Sequence, residues 1–321
     1  MSVTVALAGD TMLGRSVAER LKLAAPESLV HPAVVEAARS ADLFVLNLEC
    51  CISERGRPWP RPEKPFFFRA PLAAVRTLTH LGVDCVTLAN NHALDFGEEA
   101  LLDTFDSLAA AGIAWVGAGP DVEGARRPVI LQSNGFRLAV VGVTDHPDDF
   151  AAGPGQPGVA FADLWDAVPE WLVASLRRAR AEADAVLVTP HWGPNMTPEP
   201  VLHVRIAAGA LVEAGATLVA GHSAHVFHGV QGAVLFDLGD FLDDYVVDPV
   251  LRNDLGLLFL VTLDEQGPVR LEAVPLRLEF CFTRPADGEE SAWIRRRFEE
   301  ACRTMGTEVS EEEGRLIVRF R

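Results

Sequence analysis

The sequence predicts a layered α/β or α+β fold with two sheets in one domain. Two patterns carry that prediction. Short β-prone runs alternate with helix-length amphipathic segments over the first two thirds of the chain, and the last third turns into successive strand-like runs joined by glycine-containing turns. Alternation implies a largely parallel sheet, and a run of strands implies antiparallel additions. Composition is the third observation: 321 residues, 49% apolar and 23% charged, the balance of a globular protein. At about 150 residues per domain, that length allows one large domain or two small ones.

Taken in order, Val3 to Ala8 reads as a first strand, followed by a helix near Arg15 to Ala24. Asp42 to Leu48 is a second buried strand. A helix over Leu72 to Leu81 leads into a third, Val83 to Ala89. Glu98 to Ala111 is a helix stopped by Gly112, and Ile113 to Val116 a strand. Pro128 to Gln132 and Phe136 to Gly142 flank Asn134-Gly135, the sharpest hairpin signal in the chain. The alternation resumes with helices at Leu164 to Ala183 and Val201 to Ala214 and strands at Ala185 to Thr189 and Thr217 to Ala220. Four strands then follow at Val226 to Val230, Ala233 to Asp237, Leu257 to Leu263 and Val269 to Leu278. A helix (Ser291 to Met305) and a strand (Leu316 to Phe320) close the chain. Residues 1–280 are read as one domain, with 281–321 as a C-terminal helix and strand packed on it. Two long irregular segments, Cys50 to Arg69 and Thr144 to Val159, are expected to be functional or mobile.

Charge narrows the function. With 28 basic and 45 acidic side chains the net charge is −17. A nucleic-acid binder needs a basic surface to displace counterions from phosphates. The best basic run, Arg295 to Arg297, is followed by Glu299 and Glu300 and reads as a solvated helix face. The longest apolar runs, such as Leu255 to Leu263, fall well short of the ~18 residues that span a bilayer. The N-terminus lacks a basic flank and signal-type apolar core. Five cysteines, an odd number, indicate no disulfide framework. A cytoplasmic protein without a membrane segment is therefore expected; the oligomeric state is left open.

The chemistry is expected where polar residues follow strands. Asp10, Asn47 and Glu49, Asn90 to His92, His191, His222 with His225 and His228, and Asp237 with Asp240 all stand at or just after strand ends. In open α/β sheets ligands bind at the carboxyl ends of strands. Seven of the nine histidines are read as following strands, with His31 and His80 in ordinary helical contexts. Singly, each such residue has a plain reading as a cap, turn or core side chain; jointly they read as a metal site. Carboxylate, amide oxygen and imidazole together suit Mn, Fe, Zn or Co rather than Mg or Ca, and the absence of thiolates disfavours structural zinc.

Several segments together carry a resemblance. They are Gly9-Asp10-Thr11-Met12-Leu13-Gly14-Arg15, Asn47-Leu48-Glu49, Ala89 to Gly97 with Asn90-Asn91-His92, His191-Trp192-Gly193 and Gly221-His222-Ser223-Ala224-His225. In this order they resemble the poly-gamma-glutamate capsule biosynthesis (CapA-type) family of the calcineurin-like metallophosphoesterase superfamily, over roughly residues 3–280. The resemblance implies a four-layer α/β/β/α sandwich of two mixed sheets with two divalent metal ions (Mn, Fe or Zn) at the strand ends. By position, Asp10 and His225 would hold one metal, Asn91, His191 and His222 the other, and Glu49 would bridge them. His92 would be the catalytic acid, oriented by Asp95, and a hydroxide held between the metals the nucleophile.

Three departures qualify this picture. Position 12 is Met where the superfamily usually has a histidine ligand, Pro194-Asn195 follow His191-Trp192-Gly193 where an acidic residue is frequent, and Asp240 replaces the Asn of a Leu-Gly-Asn-Phe motif. Asp240 either adds charge at the substrate site or caps a turn. Arg15, one turn after Asp10, and Arg69 are candidates for an anionic small-molecule substrate, Arg69 having a surface ion pair as its plain alternative. The expected function is a metal-dependent hydrolase of a small phosphoester. Amide-bond chemistry on gamma-glutamyl or peptide-like substrates and a non-catalytic metal-binding module are the rivals. Family members in the capsule role are typically membrane-anchored, and no anchor is visible here.

Overall fold

A computed structural model describes residues 1–320. Its largest sheet has ten strands. The first strand, Ser2–Thr11, lies at its centre. On one side Leu43–Leu48, Cys85–Thr87 and Ala114–Val116 follow in parallel. On the other, Leu255–Asp264, Gly267–Glu279 and Arg315–Arg319 run antiparallel. A six-stranded sheet carries the parallel strands Phe136–Thr144, Ala185–His191, Leu218–Ala220 and Val234–Leu235. The Asn134-Gly135 hairpin closes as expected, with φ of 51° and 81°.

Alternation along the strands builds the layers, because successive side chains face opposite sides of a sheet. Ala6, Ala8, Phe44 and Leu46 face helices Arg15–Leu23, Pro32–Arg39, Ala74–Leu81 and Gly97–Ala110. Val5, Leu7 and Val45 turn the other way and meet Leu138, Val140 and Leu187 of the second sheet. That sheet's outer face, with Val141, Val186 and Val188, packs on helices Glu170–Glu182 and Leu202–Ala214. The result is the expected four-layer α/β/β/α sandwich. The C-terminal helix Gly288–Arg303 sends Ile294, Phe298 and Cys302 into the core between the sheets.

Local differences from the sequence reading have physical causes. The helix expected from Leu164 begins only at Glu170, after Pro169. Proline disfavours helical backbone at the residue before it and has no N–H to continue the ladder. Helix Pro32–Arg39 gives the helical context read at His31 its bounds; its first turn is capped by the His31 imidazole, which accepts from the Ala33 N–H. The strand expected at Val226 to Val230 shrinks to Val230–Gln231, because Ser223 and His225 take left-handed φ values of 111° and 60° and turn the chain. An unexpected strand, Asp240–Leu242, instead pairs in parallel with the first strand, Asp240 opposite Asp10.

The two long irregular segments clasp each other. Trp59 packs edge-on against buried Phe150 at 5.1 Å, and its indole N–H donates to Asp149 at 3.0 Å. Among the described residues no helix is long and apolar enough to cross a membrane.

Candidate metal centre

Parallel strands in both sheets end on the same rim, and the buried polar residues gather there. Asp10 and Glu49 are fully buried, and His191, His222, His225 and Asp240 nearly so. The Asp10 carboxylate is the hub. Its Oδ1 accepts from the Asn47 amide at 2.7 Å and lies 3.4 Å from His222 Nδ1. Its Oδ2 lies 3.2 Å from His225 Nδ1. Asn90 holds Asn47 in turn, donating to its Oδ1 at 2.9 Å.

Donor atoms fall into two close groups, Asp10 with Glu49 and His191, and Asp10 with His225 and Asp240. Asp10, not Glu49, is common to both. Glu49 keeps one free oxygen, Oε1, 3.9 Å from His191 Nε2, because the Tyr245 hydroxyl donates to its Oε2 at 2.9 Å. Several of these atoms have no hydrogen-bond partner despite burial: Asp10 Oδ2, Glu49 Oε1, Asn91 Oδ1, His191 Nε2, His222 Nδ1 and Asp240 Oδ2. Native interiors rarely leave so many polar atoms unpaired at one point, since each costs about 1–3 kcal/mol. The set of carboxylate, imidazole and amide oxygen therefore fits divalent cations.

Electrostatics within the cluster point the same way. Burial pushes the Asp10 carboxyl up, but the adjacent His222 and His225 imidazoles more than offset it and hold Asp10 well below the usual carboxylate range. Burial and the neighbouring Asp10 charge push Glu49 well up. Burial drives His191 down. Burial also lowers His225, but Asp240 and Asp10 overcome it and raise the imidazole well above its ordinary value.

Beside the cluster, His92 is stacked on Phe68, ring centroids 3.8 Å apart. Its Nδ1 lies 2.6 Å from Asp95 Oδ2, and its own N–H donates to Asn90 Oδ1 at 3.0 Å. Asp95 also accepts from the Phe68 N–H and pairs through Oδ1 with Lys64 at 3.0 Å. Burial pushes His92 down to about 4, against the pull of Asp95. Nδ1 is thus committed as donor to Asp95, and the ring is neutral at pH 7.

Two clefts open onto the centre. One, of about 560 Å³, is lined by Arg61, Lys64, Asn91, His146 and Trp165 among others. The second, of about 310 Å³, has an aromatic wall of Phe66, Phe68 and Tyr245 and reaches His92, Asn195 and His225.

The sequence-predicted residues fare differently. Asp10, Glu49, His191, His222 and His225 converge, Asn91 lines the larger cleft with a buried oxygen that has no partner, and His92 meets Asp95. Arg15 lines the second cleft, its charge paired with Asp244 at 3.1 Å and its face over Phe66. Arg69 does not reach either cleft: it lies over the Phe96 ring at 4.2 Å and donates to the Arg55 carbonyl. Its neighbour Phe68 takes the place facing the site. Asp240 faces His225, inside the donor cluster rather than on a substrate wall. His203 does not follow a strand but lies in helix Leu202–Ala214, paired with Asp145 at 3.2 Å. The same Asp145 holds His146 through Nδ1 at 2.5 Å. Sequence reasoning missed Lys64, His146 and Tyr245. Tyr245, the sole tyrosine, shortly after Asp240, offered the only signal.

Comparison with known proteins adds a family. The model of the bacterial capsule synthesis protein PGA_cap family matches residues 4–245. A probable polyglutamine synthesis accessory protein of Mycobacterium tuberculosis is 30% identical, covering 98% of this chain and 95% of its own. The PGA biosynthesis protein CapA of Bacillus subtilis is 29% identical over 88% of this chain and 73% of its own. Among solved structures, a hypothetical protein from Thermus thermophilus overlays 88% of this chain and 96% of its own at a TM-score of 0.44 and 19% identity, too loose a likeness to bear on the chemistry.

Proposed function

Because the chain belongs to the bacterial capsule synthesis protein PGA_cap family, we propose that its donor cluster is a metal centre and that the protein is a hydrolase acting on a phosphoester of a small anionic metabolite. The observation that carries this reading is the set of buried, unpartnered donors around Asp10, next to an imidazole already oriented by a carboxylate. Asp10, Glu49, Asn91, His191, His222 and His225 would hold two divalent cations drawn from Mn, Fe or Zn. Such cations supply Lewis acidity and make a bound water acidic enough to ionise near neutral pH. Asp10 is proposed as the shared ligand, since its two oxygens face different histidines.

His92 is the proposed general acid. Asp95 holds Nδ1, which leaves Nε2 for the departing oxygen. The ring is neutral in the free protein. A phosphoryl dianion docking beside it favours the protonated form, which then delivers its proton to the leaving group. Lys64 and Arg61 line the larger cleft beside Glu63, Asp145, Asp148 and Asp163, and each is paired with a carboxylate, Asp95 and Asp149 respectively.

The names of the relatives favour a second reading, amide-bond chemistry on a gamma-glutamyl or peptide-like substrate at the same centre. An accessory role without turnover has no use for the oriented His92. All five cysteines are free and buried, which supports a reducing compartment such as the cytoplasm.

The test compares manganese-loaded protein on aryl phosphate mono- and diesters with the same protein on a gamma-linked glutamate oligomer. Phosphate ester turnover that EDTA abolishes is the expected result. Glutamate release alone would transfer the assignment to amides, and metal-loaded protein inert on both would leave the accessory role. His92→Ala should retain its metal and lose ~10²–10⁴-fold in kcat.

A further inference from the structure

We propose that Asp240 is a direct ligand of the cation held by Asp10 and His225, so that this position has three protein donors. The inference rests on the metal-centre reading above and deepens it. Strand Asp240–Leu242 sets Asp240 in register with Asp10, and both carboxylates are buried. Asp240 Oδ1 lies 2.8 Å from His225 Nδ1, and Asp10 Oδ2 lies 3.2 Å from the same nitrogen.

A single Nδ1–H shared between two buried carboxylates satisfies neither fully and leaves their like charges together. A cation among the three satisfies all of them. Metal–ligand bonds of about 2.0–2.2 Å put neighbouring donors roughly 3–3.5 Å apart, close to the spacing found. The other Asp240 oxygen, Oδ2, is buried and has no partner. Were Asp240 only an orienting partner for His225, that oxygen would stay desolvated with nothing to offset it. Met12 offers no competing donor, since its Sδ already accepts from the Gly14 N–H at 3.0 Å.

The experiment titrates metal-stripped protein with Mn²⁺ by calorimetry and follows the bound metal by electron paramagnetic resonance. Wild type should take up two equivalents and give the spectrum of an exchange-coupled pair. Asp240→Asn keeps an acceptor for His225 but removes the charge, and should weaken one equivalent at least tenfold. Asp240→Leu should retain one equivalent and show the six-line signal of isolated Mn²⁺. Circular dichroism in EDTA checks folding, and Asp240→Asn carries the test if the leucine variant does not fold. If both variants, or Asp240→Asn alone where leucine fails, bind two equivalents with wild-type affinity, the assignment of Asp240 is overturned while the centre stands. If the wild-type chain binds no manganese, both are overturned.

Discussion

At the residue scale, the candidate site is built from pairs in which one side chain disposes of another's options. Tyr245 occupies one oxygen of Glu49, Asn47 orients Asp10, and Asp95 commits Nδ1 of His92. Lys64 belongs to the last set, because its ammonium pairs with Asp95 and also lowers His92. Lys64→Met removes that positive charge and leaves Asp95 free to favour the imidazolium. In metal-free protein the His92 ring should then titrate higher, moving from about 4 towards its ordinary value of 6.5. An NMR titration of the ring carbons reads this directly, and an unshifted midpoint would contradict the role given to Lys64. The same substitution strands a buried carboxylate and should cost on the order of 3 kcal/mol of stability. Most of the donor set was legible in the sequence, because Asp, Asn and His recur together at the ends of several apolar strands, although each alone has a plain reading as a cap or turn residue. Lys64 and His146 were not. Each lies in a long irregular segment, where no strand or helix period marks which way a side chain faces.

At the scale of elements, the decisive contact is the crossing of strands Ser2–Thr11 and Asp240–Leu242. Backbone meets backbone there: the Asp10 N–H donates to the Gly239 carbonyl at 2.9 Å, and a Cβ on Gly9 would collide with that same carbonyl. Gly9→Ala must therefore push the strands apart. It should destabilise the metal-free protein by about 3 kcal/mol and, by displacing Asp240 from Asp10, weaken manganese binding as well. Urea denaturation in EDTA measures the first effect and calorimetry the second; a variant as stable as wild type would show that the close approach is not required. The three-residue strand that creates this contact left no periodic signal, so the sequence reading treated Asp240 as a substrate or turn residue. The long alternating strands were read well because burial on both faces demands continuous apolar runs. Helix Glu170–Glu182 was drawn too long because the apolar pattern continues upstream of the proline that stops it.

At the scale of the whole molecule, three apolar clusters separate four layers, and the rim where both sheets end collects buried charge that the layers themselves cannot tolerate. The surplus of acids, −17 overall, is compatible with that rim drawing in cations. The layer order followed from the alternation of strands and helices together with the resemblance. That Asp10 would be common to both groups of possible donors did not follow, because it depends on where individual oxygens point rather than on which strand delivers them. The measurement that tests the central claim most directly is anomalous diffraction from crystals grown with manganese. Two peaks, one among Asp10, Glu49 and His191 and the other among Asp10, His225 and Asp240, are predicted. Density free of any anomalous peak within bonding distance of Asp10 would contradict the account.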